Sequence, residues 1–256
     1  MEFKFLEKFL EGKKCIFCGK YGLYRLKDKR IKCSNCQRKY SLRKLKTDLA
    51  VLKYFTLEIS ASKVAKILNL SYNTVGKRYQ RFREKIVEFL DQEFKKLKGE
   101  IEIDEAYFGG QRKGNRGRGA AGKVIVLGIL ERNNRIYTTI IPNVKPETLL
   151  KEIREKTEKG SVFYTDKFRS YHDLKLFGRH IKINKQKYLV HPKNHRTHIN
   201  GVESFWAFAK ERFMKYHGIK KNNFYLYLKE LEFRFNYRKV EFFKLLFRVN
   251  FGPKID

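Results

Sequence analysis

A chain of 256 residues, 42% of them apolar, can bury one hydrophobic core and carry one or two smaller modules. Lys and Arg total 59 against 27 acidic residues, so the formal net charge is +32 and a polyanionic partner is expected. The longest apolar run, residues 124–130, is much shorter than the roughly 20 residues of a membrane-spanning helix. The N-terminus alternates charged and apolar residues and lacks the apolar core of a signal peptide. We therefore expect a cytoplasmic protein with no membrane partner.

Residues 1–41 contain all four cysteines of the chain, in two CxxC pairs separated by 14 residues. A two-residue gap lets two thiolates bind one tetrahedral ion, and residues 21–31 can form the hairpin that brings the pairs together. Two disulfides, or a redox-active CxxC pair, are the alternatives. The spacing favours a zinc ribbon that holds one Zn²⁺ through Cys15, Cys18, Cys33 and Cys36. Because four protein ligands close the coordination sphere, the expected role of this zinc is structural.

A helical region follows over residues 42–98, and its clearest unit reads ISASKVAKILNLSYNTVGKRYQRFRE. Ala65 is small enough for two helices to cross closely, and Ser71 can cap the second helix. A shared apolar core is expected from Val64, Leu68, Leu70 and Val75. The pattern predicts a helix-turn-helix that binds DNA.

Two positions weaken the helix-turn-helix assignment. Asn69 stands where the turn usually has Gly, although Asn tolerates the left-handed conformation, and Arg78 stands where an apolar residue is common. A plain helical hairpin with a solvated basic second helix is the alternative. In the DNA-binding interpretation, the second helix offers these residues to base edges or phosphates: Tyr72, Asn73, Thr74, Lys77 and Arg78.

From residue 99 the apolar periodicity changes, and residues 99–256 form the third predicted domain. Strands are predicted over residues 100–108, 123–131, 135–141, 161–165 and 180–183, and helices over residues 146–159 and 168–174. This is the element order of a ribonuclease H-like fold. We expect an α/β domain with a mixed five-stranded sheet and flanking helices, in which the first and fourth strands are neighbours. An amphipathic helix within residues 222–251 is expected to cover the sheet.

Three acidic residues and one lysine stand out in this third domain. Asp104 lies in the first predicted strand, Asp166 follows the fourth, and Glu203 lies near the start of a helix. Carboxylates that are brought together in this way form two-metal sites for phosphoryl transfer. Lys210 comes seven residues after Glu203, and at 3.6 residues per turn the two share one helical face. The Lys210 ammonium could there hold a DNA phosphate or the end of the strand that is cut.

Each acid also has a purely structural interpretation. Asp166 could cap the helix that follows it, and Asp104 could accept hydrogen bonds in a turn. Glu203 could form a capping pair with Asn200. Taken singly, each structural interpretation is the better one. Taken together, with the strand order and the two upstream modules, the acids favour a catalytic site.

Two basic loops adjoin these acids. The first, residues 109–123, contains six glycines, which allow close backbone approach, and arginines that can bind phosphates. We predict a DNA-contacting hairpin there, with a flexible loop as the alternative, and its basic residues are Arg112, Lys113, Arg116 and Arg118. His198 lies in the second loop, ahead of Glu203, and three roles stay open for it: a place near the metals, substrate positioning, or structure.

Four segments resemble a known family: IEIDEAYFGGQRKGNRGRGAAGKVIVLGIL, VFYTDKFRSYHDL, HINGVESFWAFAKERFMKYHGI and LYLKELEFRFNYR. They look like the catalytic domain of DDE-type insertion-sequence transposases, and more narrowly like the family that pairs a zinc ribbon with that domain. The resemblance covers about residues 100–238, and the upstream modules occur in the family's order. It implies that two Mg²⁺ or Mn²⁺ ions are bound by Asp104, Asp166 and Glu203. It also implies that Lys210 is the family's basic residue seven places after the third acid.

The activity implied by the resemblance is that of a DNA transposase, which cleaves the ends of its element by metal-dependent hydrolysis and joins their 3′-hydroxyl groups to target DNA. Double-stranded DNA is the expected partner, and the cytoplasmic protein would be nucleoid-associated when bound to it. A homodimer or larger synaptic complex is expected because two ends must be cut and joined. The alternatives are a zinc-ribbon and helix-turn-helix regulator with an inactive C-terminal domain, and a structure-selective nuclease of the same fold. Further candidate phosphate contacts are Arg234, Asn236 and Arg238.

Overall fold

The computed structural model describes residues 13–109, 123–132, 135–166, 168–183, 198–216 and 219–252. The chain forms two compact units. The first contains the residues up to Gln92 and those from Tyr237 onward, and the second contains Glu93–Asn236. The segment predicted as the third domain, residues 99–256, is therefore divided between the two units after Asn236. None of the described helices is both long and apolar enough to cross a bilayer.

The first unit begins with a small antiparallel sheet that carries cysteines, followed by helices. The strands are β1 (Leu23–Arg25), β2 (Ile31–Cys33) and β3 (Lys39–Tyr40). The helices are α1 (Leu42–Thr56), α2 (Ala61–Ile67), α3 (Tyr72–Gln92) and, near the end of the chain, α7 (Phe242–Phe251). Serine side chains cap the starts of α1 and α2, where Ser41 and Ser60 each accept a hydrogen bond from a backbone N–H. The core of the helices includes Phe55, whose ring meets Tyr79 and Phe82 edge to face at 4.9 and 5.5 Å.

The second unit is built on a five-stranded sheet. Its strands are β4 (Glu100–Phe108), β5 (Val124–Glu131), β6 (Ile136–Ile141), β7 (Val162–Asp166) and β8 (Arg179–Ile183). Its helices are α4 (Pro146–Lys156), α5 (Asn200–Lys215) and α6 (Phe224–Asn236), with 3₁₀ helices at Arg169–Leu176 and Lys221–Asn223. The spatial order is β6-β5-β4-β7-β8, with β4, β5 and β6 antiparallel and β4, β7 and β8 parallel. The predicted mixed sheet and the predicted contact between its first and fourth strands are confirmed.

Three predicted helices differ from the observed ones. α4 ends at Lys156 rather than at residue 159, because Thr157 is extended and forms a β-bridge with Leu97. The helix after β7 is a 3₁₀ helix. The single helix predicted near the C-terminus is two helices, α6 and α7, and α6 alone belongs to the unit that contains the sheet.

Both faces of the sheet are buried, each in its own cluster of side chains. One face packs against α4 and the 3₁₀ helix Arg169–Leu176 through Ile101, Ile103 and Ile129, and we call it the apolar face. The other packs against α5 and α6. We call it the charged face, because charged residues such as Glu102, which is 1% exposed, are buried there. The predicted acids lie at one end of this charged face.

Candidate active site

The parallel register of β4 and β7 brings Asp104 and Asp166 to neighbouring positions. The paired residues end with Glu102 opposite Tyr164, and each aspartate lies two residues further along its strand. Side chains two residues apart in a strand point to the same face, and adjacent strands are ~4.8 Å apart. Both aspartates are therefore on the charged face, at the same level, and both are half-buried. The prediction that they meet although 62 positions separate them agrees with this register.

The third acid, Glu203, lies in the first turn of α5, and this helix covers the same face of the sheet. Gly128 is paired with Asp104 across β4 and β5, and a Cβ built on Gly128 would lie 2.6 Å from the Trp206 ring and 3.2 Å from Val202. The glycine thus lets α5 approach the sheet directly beside Asp104. Glu203 follows Val202 and is half-buried. The carboxylate oxygens of the three acids do not all lie within 4.8 Å of one another.

Lys210 is on the exposed side of α5, two helical turns after Glu203. Seven residues correspond to about 10 Å along the helix axis. The phosphate contact predicted for Lys210 stays a prediction.

The structure supports the structural interpretation of Asp166 and excludes those of Asp104 and Glu203. Asp166 Oδ1 accepts a hydrogen bond from the backbone N–H of Phe168 at 2.9 Å, so it does stabilise the turn that follows. A carboxylate has several acceptor sites, and one such bond does not prevent metal binding. Asp104 lies inside a strand, opposite Gly128, and not in a turn. The capping pair between Asn200 and Glu203 is absent from α5, because the N-cap residue is Ile199 and Asn200 is already helical.

A buried tyrosine on the apolar face lies beneath the two aspartates. The Tyr171 hydroxyl donates a hydrogen bond to Glu105 Oε1, and Tyr171 itself is fully buried. Burial, the neighbouring Glu105, and then the charges of both aspartates raise the pKa of the Tyr171 hydroxyl well above its usual range. Asp104 and Asp166 therefore act electrostatically on the same buried hydroxyl, which agrees with their position on adjacent strands.

Sequence reasoning missed Glu102, which is the most buried acid beside the site. It lies two residues before Asp104 on the same face, and its Oε1 is 2.9 Å from Arg132 Nε. The alternation Glu100, Ile101, Glu102, Ile103 resembles a strand with one face in solvent. The signal that could have identified Glu102 is its place between two core isoleucines on a strand that is central in the predicted fold.

His198 lies beside Glu102, and this contact supports the structural role among the three roles left open for His198. Its Nδ1 is 3.4 Å from Glu102 Oε1 and 3.3 Å from the backbone nitrogen of Asn200. The backbone carbonyl of His198 accepts a hydrogen bond from Arg132 at 2.6 Å. The residue is thus part of the network that surrounds the start of α5.

The four cysteines form a separate cluster in the first unit. Their Sγ atoms all lie within 4.8 Å of one another, with Cys15 and Cys36 3.6 Å apart and Cys18 and Cys33 3.7 Å apart. A disulfide requires about 2.05 Å. Four sulfurs bound to one Zn²⁺ at about 2.3 Å are about 3.8 Å apart. The cluster therefore fits a zinc ribbon and does not fit the alternative of two disulfides.

Each CxxC pair is held by the same kind of turn. The backbone N–H of Gly19 donates to the carbonyl of Cys15, and the N–H of Gln37 donates to that of Cys33. Gly19 and Gln37 both have φ near +60°. Burial raises the pKa of the Cys15 thiol to about 12, which opposes ionisation in the protein alone. A divalent cation would offset that cost, because thiolates and not thiols bind zinc.

The predicted helix-turn-helix is formed by α2 and α3. Asn69 takes the left-handed conformation with φ +48°, and Ser71 Oγ accepts a hydrogen bond from the backbone N–H of Thr74 at 3.1 Å. Val64 and Val75 are fully buried between the helices. The turn, the cap and the central contact therefore match the predicted pattern, although Leu68 and Leu70 are only half-buried.

The residues predicted to contact DNA differ in accessibility. Tyr72, Asn73 and Lys77 are exposed on α3, whereas Thr74 is half-buried. Arg78 binds Asp48 of α1, with 2.6 Å between Nε and Oδ1. This ion pair explains how a charged residue occupies a position that is commonly apolar. Outside the described residues lie the four predicted contacts of the glycine-rich loop: Arg112, Lys113, Arg116 and Arg118.

Two of the candidate phosphate contacts near the C-terminus were assigned wrongly. Arg234 is 6% exposed and is bound to Glu230 at 2.8 Å. The side chain of Asn236 bonds to both the N–H and the carbonyl of Ile136 in β6. Arg234 is thus buried by the fold of the second unit and Asn236 is half-buried with its amide bonded to β6, whereas Arg238 is exposed.

Residues 96–236, just over half of the chain, match the family described as the ISXO2-like transposase domain. An uncharacterized transposase-like protein of Haemophilus influenzae is 44% identical over 109 residues, which are 42% of this chain and 85% of that protein. An uncharacterized protein in transposable element ISH50 of Halobacterium salinarum is 26% identical over 245 residues, which are 84% of this chain and 81% of that protein.

Among solved structures, similarity is found to the Mos1 transposase paired-end complex with left transposon end and to the Mos1 strand transfer complex. Both are 12% identical over 79% of this chain and 78% of theirs, with TM-scores of 0.29 and 0.28. At such low scores the likeness adds nothing further about this chain. The family match covers the whole segment that contains Asp104, Asp166 and Glu203. The chain therefore belongs to the ISXO2-like family of DDE-type insertion-sequence transposases.

Proposed function

We propose that this protein binds the ends of its insertion sequence, cleaves them by metal-dependent hydrolysis, and joins the freed 3′-hydroxyl ends to target DNA. The observation that supports the proposal most directly is the register of β4 and β7, with Asp104 and Asp166 at the same level beside the start of α5. Membership of the transposase family agrees with this activity.

Asp104, Asp166 and Glu203 are proposed to hold two Mg²⁺ ions, or Mn²⁺ in their place. Carboxylate oxygens are the ligands that these hard cations prefer. When bound, the ions would supply an activated nucleophile and stabilise the leaving oxygen during in-line displacement. Asp104 and Asp166 fix two ligand positions because they lie on adjacent strands of one sheet. Glu203 adds a third position from a helix that packs on that sheet.

The remaining predicted residues are proposed to hold DNA. Lys210 would bind a phosphate about two helical turns from Glu203. The element ends would be contacted by Tyr72, Asn73, Thr74, Lys77 and Arg78. The loop at residues 109–123 would contact phosphates. One structural Zn²⁺ would stabilise the ribbon through its four cysteines. We infer that the protein acts on cytoplasmic, nucleoid DNA as a homodimer or larger complex, since two ends must be joined.

The test is a cleavage and strand-transfer assay with Mg²⁺ on DNA that carries the element's own ends. The Asp104→Asn variant should lose at least about a hundredfold in cleavage, because even residues that support metal ligands contribute 10–100-fold. DNA affinity should stay within a few-fold of wild type. Asp173→Asn is the matched control, because Asp173 is an exposed residue of the 3₁₀ helix and its change should leave cleavage intact.

Three results would contradict this assignment in different ways. Cleavage that persists in Asp104→Asn would remove the acidic site from the mechanism. Specific binding without metal-dependent cleavage by wild type would favour the regulator. Cleavage that depends on Asp104 but never yields joined products would favour the structure-selective nuclease.

A further inference from the structure

The N-cap residue of the helix that carries Glu203 provides no side-chain cap. Its N-cap residue is Ile199, which makes no side-chain hydrogen bond to the helix. The first turn of a helix has backbone N–H groups without partners inside the helix, and Ser, Thr, Asp or Asn normally accepts from one of them. An isoleucine offers no such acceptor. His198 Nδ1 accepts from the N–H of Asn200 at 3.3 Å, and the rest of the cap of α5 must come from another element.

Glu102 of β4 supplies that cap. Its Oε2 accepts a hydrogen bond from the backbone N–H of Val202 at 3.0 Å, across 100 residues of sequence. Gly201 allows the approach, because a Cβ at this position would lie 2.9 Å from the same oxygen. A carboxylate at a helix N-terminus is also stabilised by the helix dipole. The start of α5 is therefore fixed to a buried acid of the central strand.

Arg132 holds the Glu102 carboxylate in place. Its Nε lies 2.9 Å from Glu102 Oε1, and it also donates to the carbonyl of His198, just ahead of the helix. The guanidinium lies 3.7 Å from the centre of the Tyr164 ring. Because Arg132 bonds both Glu102 and the residue before Ile199, one side chain connects β4 to the segment that leads into α5.

We propose that Glu102 and Arg132 are positioning residues that set the distance between Asp104 and Glu203 and thereby the affinity of the site for its divalent cations. Glu102 is two residues before Asp104 and is bonded to the residue immediately before Glu203. Their connection passes through one buried side chain and one short stretch of backbone. This inference rests on the proposed function, since it assigns the two residues a role in metal binding at that site.

The variant that tests the proposal is Glu102→Gln. Glutamate uses one oxygen for Arg132 and the other for Val202, whereas glutamine has a single side-chain oxygen and must lose one of the two contacts. Glu232→Gln is the matched control, because Glu232 is also a buried carboxylate of the charged face, but it binds β6 and α6 and not α5.

Two measurements are made on the full-length chain at temperatures that give each variant the same folded fraction. Hydrogen exchange should be faster at the start of α5 in Glu102→Gln and unchanged there in Glu232→Gln. The Mg²⁺ concentration for half-maximal cleavage should rise about tenfold in Glu102→Gln, the size found for residues that orient metal ligands. Glu232→Gln should keep the wild-type value.

Equal Mg²⁺ dependence of the two variants, with wild-type cleavage sensitive to Asp104→Asn, would overturn the inference and leave the proposed function standing. Wild-type protein that does not cleave at all would overturn both. If Glu102→Gln does not fold, Gly201→Ala replaces it, because a methyl group there would lie 2.9 Å from Glu102 Oε2 and 3.0 Å from Leu130, so the contact between Glu102 and the helix start must shift without removal of a charge. It should raise the required Mg²⁺ concentration in the same direction, and an unchanged value would contradict the proposal.

Discussion

The apolar face and the charged face of the five-stranded sheet are both buried, but they hold their helices by different interactions. On the apolar face, Ile101, Ile103 and Ile129 contact aliphatic and aromatic side chains, and a single hydrogen bond described there, from Tyr171 to Glu105, joins the 3₁₀ helix to β4. On the charged face, Glu102 and Glu232 are only 1% and 3% exposed, and each accepts several hydrogen bonds. Hydrophobic contacts are non-directional, whereas these bonds specify which residue of a helix meets which residue of a strand. The helix that carries Glu203 packs on the charged face, where these directional hydrogen bonds are made.

The second helix of the charged face, α6, shows the same principle along the sheet edge. β6 is an edge strand, and unpaired backbone groups at an edge need partners. Glu232 Oε2 accepts from the N–H of Thr138 at 2.9 Å, and Lys229 donates to the Thr138 carbonyl at 2.8 Å. One helical turn later, Asn236 pairs with both backbone groups of Ile136. Side chains of α6 thus satisfy backbone N–H and carbonyl groups of two residues of β6, as the backbone of a further strand would.

The largest effect expected on stability is that of Glu232→Gln. Lys229 lies 2.8 Å from Glu232 and is 2% exposed, so the variant leaves a buried ammonium without its counter-charge. Breaking a buried pair from one side costs about 3–5 kcal/mol. Urea denaturation followed by tryptophan fluorescence would measure the loss, because Trp206 is the single tryptophan of the chain and lies in this unit.

A surface pair provides the control for that measurement. Glu211 and Lys215 of α5 form an exposed ion pair at 2.9 Å, and exposed pairs contribute little. Glu211→Gln should leave the urea midpoint unchanged. If Glu232→Gln also left the urea midpoint unchanged, the buried charges would not hold α6. The distinction between the two faces would then lose its energetic basis.

A smaller effect is expected from Gly128→Ala, which can be compared with Ile129→Val at the next residue of β5. The two side chains point to opposite faces. Alanine at 128 would place a methyl group 2.6 Å from the Trp206 ring, and overpacking of this kind costs about 1–3 kcal/mol. Ile129→Val removes a methyl group from the apolar face and should cost about 0.5–1.5 kcal/mol. Equal losses, with no change in tryptophan emission for Gly128→Ala, would mean that α5 moves freely on the sheet.

Local patterns in the sequence were sufficient for the strands and for the cysteine cluster. β4 has the predicted bounds, because its isoleucines alternate with polar residues, and the cysteine spacing predicted the cluster. The adjacency of Asp104 and Asp166 came from the element order. These features depend on short stretches of sequence or on the order of elements along the chain, both of which can be read directly.

The role of the charged face could not be predicted in this way. Glu102 alternates with isoleucines as a solvent-facing residue would. It is buried because α5, 100 residues later in the chain, packs against it. Lys229 and Arg234 fall outside the apolar stripe of α6, as exposed residues would, yet the fold encloses them. Burial of these charges is decided by partners distant in sequence, and no local periodicity records it. The wrong assignment of Arg234 as a phosphate contact has this cause, and that of Asn236 has a related one, since its amide is bonded to Ile136, 100 residues earlier in the chain.

The smallest expected effect concerns a histidine at the margin of the apolar face, and it tests whether that face tolerates a positive charge. His180 Nε2 lies 2.9 Å from Thr165 Oγ1, whose own proton is donated to the carbonyl of Asp166. Burial, followed by Lys182 and His172, lowers the pKa of His180 from 6.5 to about 4. Between these values the unfolded chain binds the proton more readily, so the stability contributed by neutral His180 is lost as the pH falls from 6.5 towards 4 and then levels off.

The thermal midpoint of wild type should therefore fall, by roughly a few degrees more than that of His180→Gln, across this pH range. Parallel pH profiles for the two proteins would show that His180 takes up its proton as easily in the folded unit as in the unfolded chain, and the apolar face would then accommodate charge as the charged face does.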